Sequence, residues 1–401
     1  MRHAPRRFAS VLEPSAGNGA LISQLRDRIE SNSATVTAVD INASRLNQVR
    51  GRLKNVPVDL IHADFLQWSA NFHVPKFDLI VTNPPFLGKR NFSVPICPTN
   101  ETGAGCGGGR RVPLEVAFLL RCIRLLKEGG RLLSVLPASI ISSDRAVWLR
   151  KLIQEVGNVR FVHELAKGSF PRLEARTYLF VFDKSIDRRT IRLQNHDLTR
   201  PANLLLPWRE AAEGRRLDFG FHQAAQAMEA MRERPRFKWQ RITEIADVIR
   251  GDVESPISDR ATVHTNSALP CFWNGALTTV GRVNRQSGRA VQSGDLLLSR
   301  VGRNCTFTLG ASRGMEGRRC SDCVILIRPQ RAPESLRILL ALRVVLRCEV
   351  LRKLLERGTG ASYVTVQDLL AFSIPFGVDE LFPEEFEKYR RAYPPSNRRS
   401  L

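Results

Sequence analysis

An α/β architecture is predicted, with a doubly wound, mostly parallel sheet first and a smaller mixed α/β domain after it. Three observations carry this. Short β-branched runs alternate with helical periods through the first half of the chain. A glycine-containing turn joins the first apolar run to the first helix. Composition then shifts after Asp183 to a stretch rich in Arg, Asp and Asn. With 401 residues, 43% of them hydrophobic, two separately packed cores are within reach.

The strands of the first half are expected at Ser10 to Glu13, Thr35 to Ile41, Val58 to Ala63, Phe77 to Thr82 and Arg131 to Leu136. Amphipathic periods from Leu21 to Glu30 and Leu114 to Leu126 supply helices, the second stopped by Lys127-Glu128-Gly129-Gly130. Val159 to Leu165 and Thr177 to Phe182 flank Gly168-Ser169-Phe170-Pro171 and are close enough to pair antiparallel, finishing the sheet as a hairpin. These elements define a first domain over residues 1–185. Residues 186–237 read as a connector with one or two helices. Residues 238–380 form the second domain, with strands at Asp295 to Ser299 and Cys323 to Ile327 and a helix from Leu336 to Leu355. Residues 381–401 read as a charged, disordered tail.

A formal net charge of +22 is too large for an enzyme handling small neutral metabolites, and it points to a polyanion. Arg dominates Lys, which suits bidentate contacts to phosphate and guanine. No signal core follows the first arginines, so a cytoplasmic, nucleoid-associated protein is expected. The longest apolar stretch, near Leu336 to Leu355, is interrupted by Arg343, Arg347, Arg352 and Lys353, which argues against a membrane span. Cys320 and Cys323 form the one close cysteine pair, and without a second pair at the usual interval no metal is expected.

Two turns carry chemistry. Glu13-Pro14-Ser15-Ala16-Gly17-Asn18-Gly19 opens the first helix, and its glycines let a ligand lie against bare backbone. Asp40, followed by Ile41, ends the second strand 21 residues after Gly19, near the spacing at which an acidic residue meets ribose hydroxyls. Asp64-Phe65 closes the third strand, where the carboxylate can accept from an adenine amino group and the ring can stack. An N-cap Asp and a core Phe are the plain structural alternative. Asn83-Pro84-Pro85-Phe86 ends the fourth strand: the prolines stiffen the turn and leave carbonyls free to accept, Asn83 adds an amide oxygen, and Phe86 adds a flat face. That set suits a planar amine.

Taken in order, these motifs resemble class I S-adenosylmethionine-dependent methyltransferases that modify the N6 amine of adenine in DNA. The gamma-type order, cofactor motifs first and recognition region last, is similar to type I restriction modification subunits and fused type II enzymes. The resemblance covers about residues 9–184 and implies a seven-stranded Rossmann-like methyltransferase sheet. S-adenosylmethionine is then the implied cofactor, held by Glu13, Pro14, Ser15, Ala16, Gly17, Gly19, Asp40, Ile41, Asp64, Phe65 and Asn83. Asn83, Pro84, Pro85 and Phe86 would be catalytic, with Phe86 and Phe170 stacking on the target base. Ile242 to Gly251, Ser293 to Arg300 and Gly358 to Pro375 more loosely resemble target-recognition domains, which makes double-stranded DNA the implied partner. Such relatives carry a helical region before the glycine turn, whereas Met1 to Ala9 alone precede the first strand here. The resemblance therefore implies either a partner subunit that covers this end or a catalytically impaired DNA-specificity protein. A methyltransferase for guanine N2 of ribosomal RNA is the nearest alternative, because the same turn grips any planar amine.

Overall fold

The computed structural model describes residues 2–71, 73–86, 93–96, 110–166, 169, 176–185, 190–196, 201–208, 216–233, 238–252, 262–264, 290–302, 305, 309–311, 315–358 and 362–392. The chain divides into two compact units, Met1–Phe219 and Gly220–Leu401.

Unit one is built on β1 (Ser10–Glu13), β2 (Thr35–Asp40), β3 (Val58–His62), β4 (Phe77–Thr82), a short ladder of β5 (Ser93–Ile96) with β6 (Arg110–Pro113), then β7 (Leu126–Pro137), β8 (Asn158–Glu164), β9 (Thr177–Asp183), β10 (Thr190–Gln194) and β11 (Asn203–Pro207). The main sheet has nine strands in the order β11-β10-β8-β9-β7-β4-β1-β2-β3. β3, β2, β1, β4 and β7 run parallel, and β9 is inserted antiparallel between β7 and β8. Val11, Leu79, Val81 and Leu133 bury one face under α1 (Arg26–Ser31) and α2 (Ala43–Arg52). Leu12, Ile80 and Leu132 bury the other, under α4 (Leu114–Leu125), α5 (Ala138–Ile141) and α6 (Val147–Val156). Burial on both faces is why these strands read as continuous apolar runs.

The expected seven strands are present, and β10 and β11 add two more beyond the hairpin. The pair β8–β9 therefore does not finish the sheet: β10 runs parallel to β8 and β11 closes the edge antiparallel. Thr190–Gln194 and Asn203–Pro207 lie in the sheet rather than in a connector. The reason is the alternation in Thr190-Ile191-Arg192-Leu193, which buries Ile191 and Leu193 on one face and sends the polar residues to the other. Charged flanks hide that short period in the sequence.

Across the amino ends of three strands lies one carboxylate. Asp78 Oδ2 accepts from the Ala9 and Ser10 amides at 3.1 and 2.9 Å and from Ser10 Oγ at 2.8 Å, while Lys127 Nζ donates to both oxygens at 3.0 Å. Burial works against its ionisation, but the Ser10 and Lys127 bonds prevail and hold its pKa below the ordinary value.

Unit two opens with α7 (Phe219–Arg232), whose first residue still belongs to unit one. It holds a four-stranded antiparallel sheet, β13 (Ala246–Arg250), β18 (Val324–Pro329), β15 (Leu296–Ser299) and β16 (Leu309–Ala311), in that order. Shorter ladders join β12 (Lys238–Arg241) to β19 (Ser373–Phe376) and β14 (Thr262–Val263) to β17 (Arg319–Cys320). The expected helix over 336–355 is two helices, α8 (Ser335–Arg347) and α9 (Glu349–Arg352), because Cys348 takes an extended conformation. After α10 (Val366–Leu370), α11 (Val378–Leu381) and α12 (Pro383–Ala392) occupy part of the expected tail. Pro383 starts α12 where its missing N–H costs nothing, and Phe386 packs against the unit's core. No helix among the described residues is long and apolar enough to cross a membrane.

Replacing Asp78 with Ala leaves two backbone amides and Lys127 without their acceptor. Urea denaturation should show a loss of about 1–3 kcal/mol near neutral pH. The gap from wild type should close as acid drops through the depressed carboxyl pKa, since protonation removes the same contribution.

Candidate functional site

Strand order fixes where a ligand goes. Chain connections leave β1 toward β2 and β4 toward β7, on opposite sides, so a crevice opens at the carboxyl ends of β1 and β4. Glu13 ends β1 and Thr82 ends β4, placing both chemistry-bearing turns at its lips.

The glycine turn is locked to the sheet. Ala16 N–H donates to the Val39 carbonyl at 3.0 Å, and Gly17 N–H donates to Asp40 Oδ2 at 2.7 Å. The other Asp40 oxygen accepts from Asn42 N–H at 2.8 Å. Gly17 and Gly19 sit at φ of +54° and +79°, where a side chain strains the backbone. A Cβ at Gly19 would in addition approach Val49 to 3.2 Å, so this glycine also lets α2 come close.

Glu13 lies under the turn, 1% exposed, and its Oε2 accepts from Ile22 N–H at 3.2 Å. Burial pushes its pKa up to about 8, with Asp40 adding to the rise and the Ile22 bond opposing it. Ile41, next to Asp40, is 72% exposed, an apolar face left in water at the sheet edge.

Asp64 N-caps α3 (Phe65–Trp68), its Oδ1 accepting from Leu66 and Gln67 N–H at 2.8 and 3.1 Å. Phe65 is buried, with its ring 4.9 Å from that of Phe118 and 6.3 Å from that of Trp68. The plain structural roles of this pair are thus both realised, and the second Asp64 carboxyl oxygen is not used in the cap.

At the end of β4, Ser15 Oγ donates to the Asn83 carbonyl at 3.1 Å and lies 3.2 Å from Thr82 Oγ1. This bridge ties the glycine turn to the Asn-Pro-Pro turn. Pro84 is buried, Pro85 exposed, and Phe86 half-buried. Asn83 Oδ1 is buried with no hydrogen-bond partner among the described residues. A buried acceptor left unpaired costs about 1–3 kcal/mol, so this oxygen stands open to a donor beyond the described residues.

Glu13 to Gly19, Asp40, Ile41, Asp64 and Asn83 to Phe86 are therefore gathered at one sheet edge, as their spacing predicts. Phe170 lies outside the described residues. The Ser15 bridge escapes sequence reasoning, since a hydroxyl in a turn carries no signal of its partner. So does the Asp40–Gly17 lock, because spacing alone points Asp40 at a ligand and not at its own loop.

The fold is that of a doubly wound, Rossmann-like protein with a crevice at the β1–β4 switch point. Residues 22–169 match the Eco57I restriction-modification methylase family. Modification methylase CviBIII of Paramecium bursaria Chlorella virus NC1A is 33% identical over 145 residues, 36% of this chain and 35% of that protein. The methylase subunit of the type I restriction enzyme EcoEI of Escherichia coli is 24% identical over 217 residues, 48% of this chain and 41% of that one. Among solved structures, the methyltransferase subunit of a type I restriction-modification system from Streptococcus thermophilus aligns with 47% of this chain and 42% of its own at 21% identity and a TM-score of 0.39. The chain spans well under half the length of each of these relatives.

Glu13 supplies a test of the buried turn. Its folded pKa of about 8 lies above the unfolded carboxyl value, so the folded state holds a proton that the unfolded chain releases as pH rises from about 4.5. Glu13→Gln fixes the neutral form. Chemical denaturation should find the variant and wild type alike at pH 4–5, and the variant more stable by a few kcal/mol above pH 8.

Proposed function

We propose that this chain is a site-specific DNA methyltransferase that moves a methyl group from S-adenosylmethionine to N6 of a flipped adenine, in a restriction-modification or phage-defence setting. The carrying observation is the buried, unpaired Asn83 Oδ1 on a Pro-Pro turn that Ser15 ties to the glycine turn. The family match over residues 22–169 supports the reaction class. The net charge of +22 supports a polyanionic substrate.

The residues present fit the cofactor. Gly17 and Gly19 leave bare backbone, Ile41 offers an exposed apolar face to a purine ring, and the second Asp64 oxygen can accept from its amino group. When bound, S-adenosylmethionine supplies an already activated methyl, so the protein's part is positioning. Asn83 Oδ1 and the Pro84 carbonyl accept the two N6 hydrogens and aim the nitrogen lone pair. Phe86 stacks on the base. Flipping adenine out of a duplex costs a few kcal/mol, of which a base–aromatic contact returns about 1–3 kcal/mol. In this reading the first unit carries the chemistry, and residues 238–380 select the sequence through Arg, Asn and Gln side chains at base edges. A partner subunit is compatible with it, as the relatives include a subunit of a larger enzyme.

Asn83→Ala should lower methyl transfer at least about a hundredfold, as losing a preorganised polar group at a reacting centre does. Calorimetry should find that the variant still binds cofactor. Incubation with labelled S-adenosylmethionine and DNA, RNA or protein in parallel identifies the acceptor: label in guanine of RNA, or an active Asn83→Ala protein, overturns the assignment.

Ser15→Ala removes one hydrogen bond to the Asn83 carbonyl. Its kcat should fall by about 3–10-fold, beyond any change in the KM for cofactor, since the bond positions Asn83.

A further inference from the structure

On the first unit, away from the crevice, a cavity of about 410 Å³ lies over the amino-terminal ends of β7, β8 and β10. Cross-strand register builds it: Leu133, Val181, Phe161, Arg192 and Leu205 form one row across β7, β9, β8, β10 and β11. Residues from the segment before β1 complete the wall. The His3 ring stacks on Phe161 with centroids 4.2 Å apart, and Arg131 Nη1 donates to the His3 carbonyl at 2.8 Å.

Four arginines line this cavity: Arg2, Arg131, Arg160 and Arg192. Asp183 is the carboxylate that answers them, accepting from Arg131 Nε at 2.5 Å and Arg160 Nη1 at 3.0 Å. Arg2 and Arg192 have no ion-pair partner among the described residues. Three positive charges thus remain uncompensated around one concave surface: those of Arg2 and Arg192, and one shared by the two arginines that Asp183 orients.

The geometry points to a phosphate-binding site here, formed by Arg2, Arg160 and Arg192 over the Phe161–His3 stack and taking a phosphodiester or phosphoester group. Guanidinium forks match phosphate oxygens in pairs, and pre-orientation lowers the ordering cost of binding. The His3 ring already feels this environment: burial first, then the charge of Arg2, with a smaller share from Arg131, holds its pKa down to about 4. His163, on the same strand as Phe161, is lowered as well, by burial and then Arg2. A bound dianion reverses that field. The site is independent of methyl transfer, because none of its residues touches the crevice at the carboxyl ends.

Inorganic pyrophosphate is the probe. Titrated into the full chain against sodium chloride of equal ionic strength, it should bind saturably and raise the His3 pKa, followed by NMR of the imidazole ring, by about one unit. Arg2→Gln combined with Arg192→Gln removes the two arginines without ion pairs, so the fold should be unaffected and thermal unfolding unchanged. Pyrophosphate affinity should fall about tenfold or more in this variant. A duplex of G·C pairs only, lacking any target adenine, separates the sources. If a DNA phosphodiester is the natural occupant, the variant lowers the salt slope of duplex binding by about one for each phosphate that is no longer neutralised. An unchanged slope with weakened pyrophosphate binding assigns the site to a free phosphoester. Absence of a saturable His3 shift, or equal pyrophosphate affinity in wild type and variant, overturns the proposal.

Discussion

The parallel pairing of β1 with β4 is the constraint on which the rest of unit one depends. With β2 on one flank and β7 on the other, the chain must leave these two strands in opposite directions, and the gap between the departing segments is the crevice. Register at the far end is held by Asp78, which hydrogen-bonds the start of β1 from within β4 and pairs with Lys127 on β7. One half-buried carboxylate thereby sets the relative height of three strands. A slip by one residue would exchange Leu79 and Ile80 between the two cores and separate the two turns at the crevice.

Inside that frame the turns are rigid without assistance from a ligand. Asp40 closes the glycine turn, and Ser15 joins it to Asn83, so the bare glycine backbone and the unpaired amide oxygen belong to one connected unit. The conformational cost of assembling the site falls on folding and not on binding. Three local costs are left standing: an orphaned acceptor at Asn83, an apolar side chain in water at Ile41, and a carboxyl at Glu13 that burial keeps protonated near neutral pH. Clustering of such unfavourable features at one end of a sheet is what distinguishes a site from a fold.

Most of the first unit is legible in the sequence because its strands are buried on both faces and its turns contain Gly and Pro at positions that demand them. β1 and β4 fall where the apolar runs place them, and the crevice residues follow from strand ends alone. β10 and β11 are hidden because each offers a brief alternation inside a charged region, and Ile191 and Leu193 become core only once β8 lies beside them. Residues 383–392 look like a charged tail by composition, yet they form a helix that starts at a proline and packs Phe386 against the core of unit two. Hydrogen bonds from side chain to distant backbone, such as that of Ser15 to Asn83, have no signature in one dimension.

The helix-capping role of Asp64 limits how this crevice can change over generations. One oxygen of its carboxylate is committed to the first turn of α3, and the same side chain stands beside Asp40 at the sheet edge. Any replacement here must still start a helix, which leaves Asn, Ser, Thr and Gly as the exchanges that keep the segment folded. Drift at this position is therefore confined to a narrow set of small residues, whatever selection favours at the neighbouring strand ends.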